Sequence, residues 1–337
     1  MTHTDITPVD TTPVDITPVD IAATDIAPTR TAQDSGFGRR LHSLDLAELF
    51  ALDLKPRGMV LEPIIPEKGL AMLYAARGTG KTHVALGIAY AVATGSTFLR
   101  WRAPRARPVL LVDGEMPAAA LRERLQRISN GETPTPTTLR IMAGDLIEQG
   151  VGNLASPVVQ AALDPFLDGV ELLILDNLSS LTATLRENDA DGWGPIQQWL
   201  LRLRRHGISV LIVHHAGKGG DQRGTSRRED VLDTSIRLRR PSDYVPTQGA
   251  RFEVHVDKAR GIYGAQAQPF EAKLEIVGEG AVWTVKEVED VDRQRAQELL
   301  AAGLSLREVA EELGISKTGA HRLKRQIDQQ AVMPGQG

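Results

Sequence analysis

Cysteine is absent from the 337 residues. Its absence excludes disulfides, thiolate metal sites and cysteine nucleophiles, and it agrees with an expected cytoplasmic location. No run of about 18 uninterrupted apolar residues occurs, so no membrane span is expected. The chain does not open on a basic stretch followed by an apolar one, so no secretory signal is expected either. Bulk positive charge is also lacking. The net charge is −4, and five aspartates against Arg30 in the first 30 residues account for all of it. The remainder is near neutral, so any contact with nucleic acid must come from local patches.

The first 35 residues repeat a five-residue unit, DITPV, DTTPV, DITPV, DIAAT, DIAPT. Proline in most units removes a backbone donor, and few large apolar groups offset the entropy of ordering. A disordered acidic tail is expected over 1–35. Residues 36–68 read as a linker whose helix, Leu44 to Leu52, is capped by Ser43 and stopped before Pro56. It serves as a linker or as a strap onto a neighbouring subunit.

From Gly69 the pattern alternates strands and helices. Apolar runs at 69–75, 108–114, 139–142, 170–176 and 208–215 are separated by helical stretches at 81–94, 118–128 and around Ile196 to Arg205. Continuous apolar strands alternating with helices predict an α/β fold with a mostly parallel sheet covered on both faces. Segments 251–260, 270–277 and 281–288 alternate by twos, as antiparallel strands do. The core is expected over 69–288. Residues 293–330 read as a separate small all-α unit, helix, turn, helix, turn, helix.

The chemistry concentrates at strand ends. AARGTGKT (75–82) follows a strand and opens a helix, as a nucleotide phosphate-binding loop does, with Ala75 where the motif has its first glycine. Ala75, Ala76, Arg77, Gly78, Thr79, Gly80, Lys81, Thr82 and His83 are the candidate ATP-binding residues. Lys81 would reach the β- and γ-phosphates, and the Thr82 hydroxyl would bind Mg²⁺. Asp176 ends the apolar strand VELLILD and would hold the same Mg²⁺. PVLLVDGEM (108–116) supplies Glu115 as the base that polarises the attacking water, with Asp113 as competitor. ISVLIVHH ends in His214 and His215, which point opposite ways, so at most one faces the site as a γ-phosphate sensor. The following loop carries Lys218 and Arg223 among glycines and suits a phosphate backbone. Lys258 and Arg260 share a strand face, and Arg237 is the rival to Arg260 as a charge supplied across a subunit boundary. Among arginines, only Arg77 adjoins the loop, Glu115 or Asp176 in sequence, so that charge is expected from a neighbouring subunit.

In their order and spacing, AARGTGKT, VDGEM, LLILDNLSSL, VLIVHHAGKG, RGTS and DKARGIYG resemble the RecA-like ATPases of the replicative-helicase branch. RepA-type helicases are the nearest likeness and DnaB-type the further one, over about residues 60–275. The resemblance implies a RecA-like core, Glu115 as catalytic base, Asp176 at the metal, and one of His214 and His215 as sensor. It also implies Lys258 and Arg260 as trans-acting residues, or Arg237 in the RepA-like relatives. Ring hexamers with ATP between subunits and single-stranded DNA in the channel follow from it. The segment LSLREVAEELGISKTGAHRLKRQ resembles the helix-turn-helix of resolvases and sigma-factor-like regulators. Gly314 would stand at its turn and Ser316 at the cap of its second helix. Lys317, Thr318, His321 and Arg322 would face duplex DNA. The expected function is a DNA-dependent, helicase-like ATPase in replication of a plasmid, phage or mobile element. The alternative is a nucleotide-switched DNA-binding regulator that does not unwind. The helical unit is expected to be separate from the nucleotide site, so that removing it spares ATP turnover.

Overall fold

A computed structural model describes residues 43–132, 138–182, 190–216, 230–278 and 280–332. The acidic repeat, the basic loop with Lys218 and Arg223, and the RGTS element lie outside these residues. Two compact units are present, up to Lys55 and from Pro56 onward. The first contains helix α1, Leu46–Ala51, shorter than expected. Its cap is Asp45 and not Ser43: Asp45 accepts from Glu48 N, and Glu48 returns a bond to Asp45 N at 2.8 Å. This reciprocal pair satisfies two donors, which a serine two residues earlier could not reach.

The second unit opens with strands β1, Met59–Leu61, and β2, Ile65–Pro66. They fall inside the expected linker, yet Val60, Leu61, Ile64 and Ile65 are fully buried in the main core. Then come β3, Leu70–Ala75, helix α2, Lys81–Thr94, and the small strands β4, Thr97–Phe98, and β5, Trp101–Arg102. Strand β6, Val109–Asp113, leads to helix α3, Ala118–Ile128, and strand β7, Leu139–Ala143. Helix α4, Pro157–Leu167, precedes β8, Leu172–Asp176, the short α5, Leu178–Leu181, and α6, Ala190–Arg205. Strands β9, Ser209–His215, β10, Thr234–Arg239, β11, Arg251–Ala259, β12, Phe270–Val277, and β13, Gly280–Glu287, complete the sheet. Helices α7, Val288–Ala301, α8, Leu306–Glu312, and α9, Lys317–Val332, follow.

The sheet order is β13-β12-β11-β10-β3-β9-β8-β6-β7. The six strands from β10 to β7 run parallel, and β11, β12 and β13 run antiparallel. This is the mostly parallel sheet with antiparallel late strands that the sequence predicts. Strand β10 lies outside the strands that the sequence predicts. It extends the parallel sheet beside β3.

Alternation along the strands divides the interior in two. Leu70 and Met72 of β3, Leu173 and Leu175 of β8, and Val210 and Ile212 of β9 join Trp199 and Leu200 of α6 on one face. Ala71 and Leu73, Leu172 and Ile174, and Leu211 and Val213 join Val84 and Ile88 of α2 on the other. Both faces are covered, which is why these strands carry almost no polar residue before their ends.

Helices α7 to α9 share a small core of Ala296, Val309, Leu313 and Leu323. Ser305 caps α8 with a capping box to Glu308. Gly314 takes φ +62° at the turn, a conformation costly for other residues. Ser316 Oγ accepts from Gly319 N at 3.1 Å.

Candidate active site

The carboxyl ends of β3, β6, β8 and β9 meet at a cleft of about 630 Å³ in front of α2. Strand parity decides which side chains enter it. Val112, Leu175 and His214 follow the alternation of the α6 face, so Asp113, Asp176 and His215 follow that of the α2 face. Asp113 pairs with Asp176 across β6 and β8, and Ala75 pairs with His215 across β3 and β9. His215, not His214, lines the cleft.

The loop between β3 and α2 turns on Gly78, φ +72°, and Gly80, φ +120°. A side chain at either would be strained, and at Gly80 a methyl would also meet Phe252 at 3.0 Å. Ala75 is tolerated in place of the motif's first glycine because it is the last residue of β3, in ordinary strand conformation. Lys81 opens α2, and its Nζ donates to Ala75 O at 3.1 Å and Ala76 O at 3.0 Å. Burial lowers its pKa to about 8, against the attraction of Asp176 and Glu115. Burial raises Asp176 to about 7; Asp113 pushes the same way, while a hydrogen bond from Thr82 pulls it back. Asp176 Oδ2 is buried without a hydrogen-bond partner. That orphaned oxygen beside the Thr82 hydroxyl fits a divalent cation. Among the described residues no group of three or more His, Asp or Glu could hold a metal alone, so such a cation would need phosphate oxygens to complete its shell.

Glu115 and Asp113 differ sharply. Asp113 is buried, and its Oδ1 accepts from Glu115 N at 2.9 Å and Met116 N at 2.6 Å. It is engaged in shaping the turn. The Glu115 side chain is largely open to the cleft, accepts from Asn177 Nδ2, and lies 3.9 Å from His215 Nε2.

Besides Arg77, two arginines that do not adjoin the loop, Glu115 or Asp176 in sequence reach the site, so a neighbouring subunit is not the only source of a further cation. Arg124, on α3, lines the cleft and feels both Asp176 and Asp113. It sits one turn past the buried Leu121, a helix phase that turns it inward. Arg240 follows β10 and donates Nη2 to Gly78 O at 3.0 Å. Its guanidinium covers the Tyr244 ring at 4.3 Å, and Tyr244 lines the cleft. No local pattern marks Arg240 or Tyr244; the turn from β10 to β11 brings them in. His83 also lines the cleft, its pKa lowered to about 4 by burial and by Arg124 and Arg127.

The remaining cations lie elsewhere. Arg237 pairs with Asp257 at 3.1 Å, and Arg260 donates Nη2 to Asp230 O at 3.1 Å. Neither these two nor Lys258 lines the cleft.

Residues 38–221 match the family described as an AAA domain. The match spans more than half of the 337 residues. The chain belongs to this AAA domain family. Among solved structures it is similar to the KaiC-like protein PH0186 of Pyrococcus horikoshii OT3. Identity is 16% and the TM-score 0.48, covering 68% of this chain and 99% of that one. It is also similar to the flagellar accessory protein FlaH of Methanocaldococcus jannaschii, at 14% identity and a TM-score of 0.48, covering 65% and 91%. In this AAA domain protein no described helix is long and apolar enough to cross a membrane.

Proposed function

We propose that this AAA domain protein hydrolyses ATP in the cleft at the end of β3, and that it does so as a DNA-dependent, helicase-like ATPase of the RepA type. The observation that carries the ATPase reading is the convergence of Lys81, Thr82, Asp176 and Glu115 on one cleft. Lys81 and the loop amides bind the β- and γ-phosphates at the positive end of α2. Thr82 and Asp176 would hold Mg²⁺, which would neutralise charge on the phosphates. Glu115, oriented by Asn177, takes a proton from the water that attacks the γ-phosphorus. The bond from that phosphorus to the β-phosphate oxygen breaks, and ADP leaves. Arg124 stands where charge develops, and Tyr244 offers a ring on which the base can stack. His215 reports on the γ-phosphate through its nearness to Glu115.

The DNA reading rests on sequence and on the helical unit. The segment with Lys218 and Arg223 supplies a basic loop for single-stranded DNA in a hexameric ring. Thr318, His321 and Arg322 lie on α9, the second helix of the helix-turn-helix, and suit duplex DNA. One observation favours the second reading, a nucleotide-switched regulator. Those same three α9 residues line a cleft of about 1210 Å³ together with Gln268, Pro269 and Glu287 of the core. Duplex DNA reaching this face would contend with the core, so its binding would depend on how the core holds α7 to α9.

The test is ATP turnover with and without single-stranded DNA, run beside native mass. The helicase-like reading expects stimulation by single strands and a ring mass. Turnover indifferent to single strands but altered by duplex DNA would favour the regulator. Lys81→Ala should fold and lose turnover; wild-type turnover in that variant would remove the ATPase reading altogether.

A further inference from the structure

The segment from Arg240 to Ala250 does two things at once. On one side Arg240 holds Gly78 of the phosphate loop and Tyr244 lines the nucleotide cleft. On the other, Asp243, the residue before Tyr244, is gripped by two arginines. Arg251 Nη1 donates to Asp243 Oδ2 at 3.2 Å and to Gln248 Oε1 at 3.0 Å. Arg295 Nη2 lies 3.0 Å from Asp243 Oδ1 and 2.9 Å from Glu271 Oε2. Arg251 completes the cluster with two bonds to Glu271, both 3.0 Å. The side chains of Arg295, Arg251 and Glu271 are nearly buried. Charges so placed hold fixed geometry only while every partner is present.

Arg295 belongs to α7, the first helix of the C-terminal unit. That unit is therefore not independent of the nucleotide cleft. The carboxylate that anchors α7 and the ring that lines the nucleotide cleft belong to adjacent residues. We propose that Arg295 is a positioning residue for the nucleotide: through Asp243 it fixes the Arg240–Ala250 segment so that Tyr244 meets the base. The proposal rests on the ATP-binding reading of the cleft. It assigns α7 to the ATPase and places the C-terminal helices one contact from bound nucleotide.

A ligand without a base separates positioning from general damage. Inorganic tripolyphosphate meets Lys81 and the loop amides but has no ring to stack on Tyr244. In the full chain, Asp243→Asn and Arg295→Ala should each raise the KM for ATP about tenfold, within the range of coupling through one contiguous network. Inhibition by tripolyphosphate should stay within twofold of wild type, by our estimate for a ligand that touches neither residue, and kcat should change less than KM. Arg295→Lys, which keeps the charge but loses the planar fork, should fall between. Asp243 is half exposed, so Asp243→Asn remains informative should Arg295→Ala fail to fold. An unchanged KM in folded Asp243→Asn, or an equal loss of ATP and tripolyphosphate binding, would overturn the proposal. A Lys81→Ala protein that still binds ATP as well as wild type would instead overturn the nucleotide reading beneath it.

Discussion

Glu115 and Asp113 are two residues apart and stand in different environments, and their difference yields a kinetic prediction. Asp113 is committed to two backbone donors, and Asn at that position keeps an oxygen for them. Glu115 is open to the cleft and oriented by Asn177. Glu115→Gln should bind ATP as before and lose ~10²–10⁴ in kcat, the usual contribution of a general base. Asp113→Asn should stay within about tenfold of wild type, below the loss expected when a base is removed. The reverse ranking, measured by single-turnover hydrolysis, would exchange their roles. The residues that the sequence places at this cleft are those whose motif couples chemistry to a strand end, such as Lys81, Thr82 and Asp176. His214 and His215 could not be separated from sequence because which face β9 turns toward α2 depends on its pairing with β3. Arg124 and Tyr244 were invisible for a related reason: nothing local says that their elements return to the phosphate loop.

At the scale of elements, long apolar strands and the antiparallel series β11 to β13 were legible because burial on one or both faces writes a period into the chain. Strand β10 was not, since TSIRLR holds only two apolar side chains, Ile236 and Leu238, too few to write a clear period. Its placement is secured by a polar device instead. Asp233, just before β10, accepts from Leu70 N at 2.9 Å and from Arg57 Nη1 at 3.0 Å, and it is almost fully buried. The carboxylate thus ties the start of β10 to the start of β3. Burial works to raise its pKa, but Arg57 and the Leu70 amide outweigh that and hold it below the ordinary value. A depressed carboxylate contributes stability that is present above its unfolded pKa and lost as pH falls through its folded one. Asp233→Asn should therefore cost about 1–3 kcal/mol near pH 7, the worth of hydrogen bonds to a charged group. As pH falls from the ordinary carboxylate pKa through the lower folded one, the gap between the two proteins should close. Urea melts at pH 7 and in acid check both halves; a deficit that persists unchanged in acid would mean that shape, not charge, sets the cost.

At the scale of the whole molecule the question is whether one chain holds a complete site. Arg124 supplies a cation within the chain's own cleft, so a neighbouring subunit is not needed for the first one. A second cation from a neighbour still has candidates in Arg260 and Arg237, which line no cleft with Lys81. Their settings differ. Arg237 pairs in register with Tyr74, near the phosphate loop, and Arg260 N bonds Asp233 O at the opposite end of β3. Mixing inactive subunits distinguishes all three. A Lys81→Ala chain mixed with an Arg124→Ala chain should show no recovery, because both defects strike the site of their own chain. A Lys81→Ala chain mixed with Arg260→Ala should regain part of the activity if Arg260 crosses the boundary, since some interfaces then join an intact Lys81 to an intact arginine. The regained fraction should be a substantial share of wild type, because a supplied arginine is worth about 10³–10⁵ in rate. The Arg237→Ala mixture provides the matching trial of its rival. Recovery with Arg237→Ala and not with Arg260→Ala, in mixtures shown by native mass to exchange subunits, would move the finger to β10. No recovery with either would leave the cleft as complete within one chain, with Arg124 as its arginine.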